Sequence, residues 1–128
     1  MKEISVKALP YIIALDDEID LLEMFKLCME ARGYEVDIAT NEQAMMDLIK
    51  VKTPAVIFLD IQMPGKQGNE MCKELKANAT TANIPIVFLS GKEDALQLAA
   101  ESRADGCISK PFHCNMVVAE IDRIMANS

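Results

Sequence analysis

An open, mostly parallel α/β sheet with helices on both faces is the fold class this sequence predicts. Short apolar runs of strand length alternate with stretches of helical periodicity, and this βα alternation occurs five times without sequence repetition. The first and third runs are apolar throughout, as a strand buried on both faces must be. Such strands belong to sheets whose crossover helices cover both sides.

The first run is Tyr11 to Leu15, bounded by Pro10 and Asp16. Ile19, Leu22, Phe25 and Met29 then recur at helical spacing, and Gly33 marks the stop. Residues 34–39 alternate as a strand. Thr40 with Gln43 makes a capping-box pattern before a helix whose Ala44, Met45, Leu48 and Ile49 face inward. Pro54 precedes the most apolar strand, residues 55–59, which ends at Asp60. A Pro64-Gly65 turn leads to a helix over 69–77. Residues 84–89 read as a strand and 92–102 as a helix. A weaker strand over 106–109 ends at Lys110-Pro111. The last helix, 115–125, places Val117, Val118, Ile121 and Ile124 on one face. Right-handed crossovers leave few topologies. The expected one is a three-layer flavodoxin-like (βα)5 sandwich with strand order 2-1-3-4-5 and its ligand crevice at the carboxyl ends of strands 1 and 3.

With 128 residues, the chain is expected to form one domain over 1–128, with its core in about 11–126. A hydrophobic share of 51% with 26% charged residues fits a globular protein rather than a disordered one. A net charge of −7 argues against direct nucleic-acid binding, which needs a basic patch. No apolar run approaches the roughly 20 residues that span a bilayer, and the first residues lack a signal-peptide pattern. A cytoplasmic location without membrane contact is the expectation. Cys28, Cys72, Cys107 and Cys114 form no C-x-x-C pair and are expected as buried, reduced thiols in three helices and a strand. His113 beside Cys114 has no further ligands at zinc spacing. As the only histidine, it also excludes most Ser-His and Cys-His catalytic arrangements.

The chemistry emerges at the strand ends. Strand 1 runs into Asp16-Asp17, strand 3 into Asp60, strand 4 into Ser90 and strand 5 into Lys110. In the expected order strands 1 and 3 are neighbours, so three carboxylates converge and repel unless a cation intervenes. Mg²⁺ suits them, being hard, oxygen-seeking and content with one or two carboxylates plus waters and a phosphate oxygen. Lys110 and Ser90 add a positive charge and a hydroxyl, both suited to holding a phosphoryl group. Each residue also has a plain structural explanation. Asp17 can cap the first helix, Asp60 can favour the following turn, Ser90 with Glu93 fits a capping box, and Lys110 can be solvated. Independent caps give no reason for all of them to stand at strand ends of one face.

Asp16-Asp17-Glu18, the stretch from Asp60 through Gln62, Pro64 and Gly65 to Gly68, Phe88-Leu89-Ser90-Gly91 and Ser109-Lys110-Pro111-Phe112 together resemble the motif set of two-component response-regulator receiver domains. The resemblance covers residues 11–126. It implies that Asp60 takes a phosphoryl group from a sensor histidine kinase or a histidine phosphotransfer protein. It further implies that Asp16, Asp17, Asp60 and the backbone carbonyl of Gln62 hold Mg²⁺, that Ser90 and Lys110 contact the phosphoryl oxygens, and that the Lys110-Pro111 bond is cis. Such transfer is mainly positioning and charge neutralisation.

The resemblance places a switch in the fourth and fifth βα units, read by a downstream protein partner. Cys107 occupies the strand-5 position where the family usually has an aromatic residue, making it the candidate output-face residue. Gln67 stands where aspartate is frequent, and Gln62 and Lys92 hold positions that tune dephosphorylation. Glu120 replaces the arginine used by the winged-helix subfamily, so that subfamily's dimer is not expected. The chain stops soon after the last helix, as a stand-alone receiver or one cut from a larger protein would. Three rival readings are a pseudo-receiver that binds protein without phosphorylation, an aspartyl-phosphate phosphatase and an FMN carrier. The phosphatase reading lacks its second Asp, since Gln62 holds that place, and it lacks a cap. In the FMN reading, Asp16-Asp17-Glu18 would repel the cofactor's phosphate.

Overall fold

The computed structural model describes residues 9–127. The strands are β1 (Tyr11–Leu15), β2 (Glu35–Ala39), β3 (Val56–Asp60), β4 (Ile86–Ser90) and β5 (Gly106–Ser109). The helices are α1 (Ile19–Ala31), α2 (Glu42–Val51), α3 (Gly68–Ala77), α4 (Ala95–Ser102) and α5 (Cys114–Ala126). All neighbouring strands pair in parallel, in the expected order β2-β1-β3-β4-β5.

The sheet divides its apolar side chains between two cores because successive residues of a strand point to opposite faces. Tyr11, Ile13, Leu15, Ile57, Leu59, Ile86 and Phe88 join Met45, Ile49, Met71 and Leu75 of α2 and α3 on one side. Ile12, Ala14, Val56, Phe58, Val87 and Leu89 join Leu22, Phe25 and Met29 of α1 and Val117, Ile121 and Ile124 of α5 on the other. This two-sided demand is why β1, β3 and β4 are buried at every position. Burying a side chain such as Phe58 contributes roughly 1.5–3 kcal/mol.

Helix ends follow local hydrogen bonding. At the end of α1, Gly33 adopts φ +98° and its N–H reaches the Glu30 carbonyl at 2.9 Å, a left-handed stop that glycine adopts without strain. The cap of α2 is Asn41 rather than the expected Thr40. Asn41 is extended and its Oδ1 accepts the Ala44 N–H at 2.9 Å, three residues into the turn where a cap oxygen belongs. The fourth helix begins at Ala95, not Lys92. Ser90 Oγ accepts the Lys92 N–H at 2.9 Å in a tight turn, so the capping box read from Ser90 and Glu93 does not start the helix.

The cysteines depart further from expectation. Cys28 of α1 and Cys114 of α5 are joined as a disulfide, with Cα atoms 6.5 Å apart and a sequence separation of 86. Both are half-buried, so neither is a buried, reduced thiol. Only Cys72 and Cys107 are free, the first buried and the second half-buried. A search for local cysteine pairs cannot find a bridge that the packing of the first and last helices creates.

Candidate functional site

The parallel register brings the polar strand ends to one rim. Leu15 pairs with Leu59, so Asp16 follows β1 beside Asp60 at the end of β3. Ser90 pairs with Ser109, and the Lys110 N–H donates to the Ser90 carbonyl at 2.8 Å, which fixes Lys110 directly after β5. Asp16, Asp60 and Ser90 are 0%, 3% and 1% exposed.

Burial of three polar groups requires partners, and the backbone supplies a matching one to each. Asp16 Oδ1 accepts the Glu18 N–H at 3.0 Å, Asp60 Oδ1 the Gln62 N–H at 3.3 Å, and Ser90 Oγ the Lys92 N–H. Each strand therefore turns off the sheet in the same way, two residues past its polar end. Asp17 does not cap α1, and the Asp16 bond to the Glu18 N–H closes the turn before the helix rather than capping it. Glu18 stands at the N-cap of α1, and its side chain makes no capping bond.

Lys110 ties the rim together. Its Nζ lies 2.7 Å from Asp16 Oδ2 and 3.5 Å from Asp60 Oδ1. Burial opposes the charge on Lys110, yet the hydrogen bond to Asp16, then the charges of Asp16, Asp60 and Glu18, hold its pKa above the ordinary value. Asp60 is pushed up to about 6, first by burial and then by the Asp16 charge, with Lys110 and the Gln62 N–H pulling partly back. The Lys110–Pro111 peptide is cis.

Carboxylate oxygens of Asp16, Asp17 and Glu18 lie within 4.8 Å of one another, the first buried and the other two exposed. This donor set is entirely hard oxygen, and the neighbouring Asp60 carboxyl is disfavoured as an anion without added positive charge; a divalent cation such as Mg²⁺ fits both features. The cluster contains Asp16 and Asp17 of the expected ligand set and adds Glu18. Asp60 and Gln62 lie outside it, Gln62 being exposed. Cys107 sits half-buried on β5 against the core cluster that includes Ala95 and Ala99 of α4.

Sequence reasoning gave no role to Gly68. Its N–H donates to the Ile61 carbonyl at 2.8 Å, and a Cβ there would strike the backbone carbonyl of Asp60. Glycine lets the start of α3 pack directly under the Asp60 backbone. The signal was its fixed place at the end of the Asp60 motif.

The rim thus combines a buried carboxylate, a lysine bridging it to a second one, a hydroxyl and an acidic trio. A family model for the response regulator receiver domain matches residues 12–122. The chain belongs to this family. The receiver domain is 35% identical over 116 residues to the phosphate regulon transcriptional regulatory protein PhoB of Pseudomonas aeruginosa, covering 89% of this chain and 51% of that protein. It therefore spans about half the length of that curated relative. A protein from Chloroflexus aurantiacus described as a response regulator has a TM-score of 0.84 at 27% identity, over 91% of this chain and 98% of the other. The chemotaxis protein CheY4 of Vibrio cholerae matches at 0.83 with 24% identity, over 91% and 99%, a likeness of fold alone. Among the described residues, no helix is long and apolar enough to cross a membrane.

Proposed function

We propose that this receiver domain accepts a phosphoryl group on Asp60 from a phosphohistidine of a sensor histidine kinase or histidine phosphotransfer protein. The observation that carries the reading is Lys110 held between Asp16 and Asp60, at 2.7 and 3.5 Å, on the rim where β1, β3 and β5 end. A bond forms between an Asp60 carboxylate oxygen and phosphorus as the phosphorus–nitrogen bond to the donor imidazole breaks. The electron pair of that bond leaves with the imidazole. Lys110 then exchanges part of its contact with the carboxylates for the phosphoryl oxygens, and Ser90 offers its hydroxyl from the end of β4. Asp16 and Asp17, with Glu18 near them, would hold Mg²⁺, and Asp60 and the Gln62 carbonyl would complete the set from β3. When bound, the ion supplies positive charge that keeps Asp60 ionised and neutralises the incoming phosphoryl group.

Because Ser90 leads into the turn before α4, drawing its hydroxyl towards a phosphoryl oxygen biases that turn and the α4–β5–α5 face, which includes Cys107. A downstream protein would read that face. A kinase partner supplied by ATP places the domain in the cytoplasm. The rival reading is a pseudo-receiver, which keeps the fold and binds protein without phosphorylation.

Intact-protein mass spectrometry after incubation with acetyl phosphate and Mg²⁺ tests the proposal. One added phosphoryl group is expected, absent with EDTA and in Asp60→Asn. No addition to the wild type, under conditions that label a reference receiver, would establish the pseudo-receiver reading instead.

A further inference from the structure

The seam between α1 and α5 carries three contacts in register. Phe25 and Cys28 of α1 and Arg32 at its C-cap follow one another at helical spacing. Phe25 meets the Phe112 ring nearly edge-on at 6.3 Å, and Arg32 Nη2 donates to Asn115 Oδ1 at 2.6 Å. Between those contacts Cys28 is bonded to Cys114. Both helices also pack on one core, through Leu22 and Met29 of α1 and Val117, Ile121 and Ile124 of α5, so the bond can open while the thiols stay within reach of each other.

The four cysteines divide by surroundings. Cys72 is buried, its Sγ directed to the Ser102 carbonyl at 3.3 Å, and burial pushes its thiol up to about 11. Cys107 is likewise raised, by burial and then by Glu120. Cys28 and Cys114, half-buried like Cys107, instead stand in the wall of an open groove of about 730 Å³ that Phe25, Phe112 and Lys110 also line. A small thiol reagent can enter from solvent. Only residues 111–113 separate Lys110 from Cys114, so whatever fixes Cys114 constrains the loop that carries the lysine.

We propose that Cys28 and Cys114 form a reversible redox site. The pair exchanges with low-molecular-weight disulfides and thiols of the glutathione class, and the closed bond fixes the loop that carries Lys110. In closing, the thiolate of one cysteine attacks a sulfur of the disulfide reagent and releases one reagent thiolate, giving a mixed disulfide. The second cysteine thiolate attacks the protein sulfur of that mixed disulfide and expels the other reagent thiolate. The two protein protons pass to the two released thiolates, so the cysteines are oxidised by two electrons and the reagent is reduced by two. Two equivalents of thiol reverse both steps. The site itself does not depend on the phosphoacceptor reading; only its consequence for phosphoryl uptake through Lys110 does.

The test combines thiol alkylation counted by mass spectrometry with hydrogen exchange of the Phe112 and His113 amides, on the full chain in glutathione disulfide and in dithiothreitol. Alkylated after unfolding in denaturant, two of the four cysteines should react in the sample from glutathione disulfide, and a peptide map should join Cys28 to Cys114; dithiothreitol should restore all four. Exchange of the two amides should slow by at least about threefold in the bridged form. Cys28→Ser and Cys114→Ser should show the faster exchange under both conditions. Failure of the bridge to form, or equal exchange in bridged and reduced wild type, overturns the proposal. Acetyl phosphate labelling run in parallel separates the two readings, because lost labelling with an intact bridge and slowed amides overturns only the phosphoacceptor.

Discussion

Phe58 and Asp60 lie two residues apart on β3, both almost fully buried, yet burial acts on them in opposite directions. The Phe58 ring packs 5.4 Å from Phe25 in the core under α1 and α5, and leaving water is what stabilises it there. Asp60 is shielded from water as thoroughly, and burial is the first reason its carboxyl rises to about 6. The core beneath the rim therefore supplies the free energy that holds an unfavourable cluster of charges in place. The difference teaches that the fold and the site draw on separate residues even where one strand carries both.

Phe58→Ala attacks the supporting side. It should lower unfolding stability by about 3–5 kcal/mol, measured by urea denaturation, while whatever fraction remains folded still accepts phosphate. Asp60→Asn attacks the other side, and here the sign is opposite at neutral pH. The folded pKa of about 6 lies above the ordinary 3.8, so the folded state binds more protons through the interval between them. That contribution is fully present below about pH 4 and is lost as pH rises through 6. In Mg²⁺-free buffer the wild type should therefore gain on the order of 3 kcal/mol relative to Asp60→Asn between pH 7 and pH 4. A stability difference between the two that does not vary with pH would contradict the strained-rim picture.

Gly68→Ala lies between the two regions. The added methyl meets backbone rather than a flexible side chain, so we expect a loss of about 1–3 kcal/mol together with slower labelling of Asp60. Loss of stability with unchanged labelling would make Gly68 a packing residue only. The smallest effect belongs to a helix cap that touches neither side chain, Asn41→Ala. It removes the side-chain bond to the Ala44 N–H and should cost about 1 kcal/mol by thermal or urea melts, with labelling unaltered.

Strands were legible because a doubly covered strand must be apolar at every position, and residues 11–15 and 55–59 could hardly be read otherwise. The rim was legible for a related reason, since Asp16, Asp60, Ser90 and Lys110 each interrupt or follow such a run. Helix starts were less visible. Thr40 and Asn41 are both good caps, and only the extended backbone at Asn41 decides between them. Ser90 looked like a cap because its hydroxyl does accept a backbone N–H, but that of Lys92 in a turn before the helix. Glu18 was in view as part of a motif, yet its approach to Asp16 and Asp17 depends on how the chain enters α1. The Cys28–Cys114 bridge and the clash latent at Gly68 depend on tertiary approach and leave no local periodicity.

The lysine that bridges the rim is 94 residues from Asp16 along the chain. During synthesis the strands emerge in the order β1, β2, β3, β4, β5, so both buried carboxylates are made long before the cation that reaches them. A nascent chain ending before β5 can pair β1 with β3 only by setting Asp16 beside Asp60 without Lys110. The edge strand is thus the last piece of the sheet to arrive, and it brings the charge that makes the first pieces compatible. Completion of the rim is thereby tied to completion of the sheet.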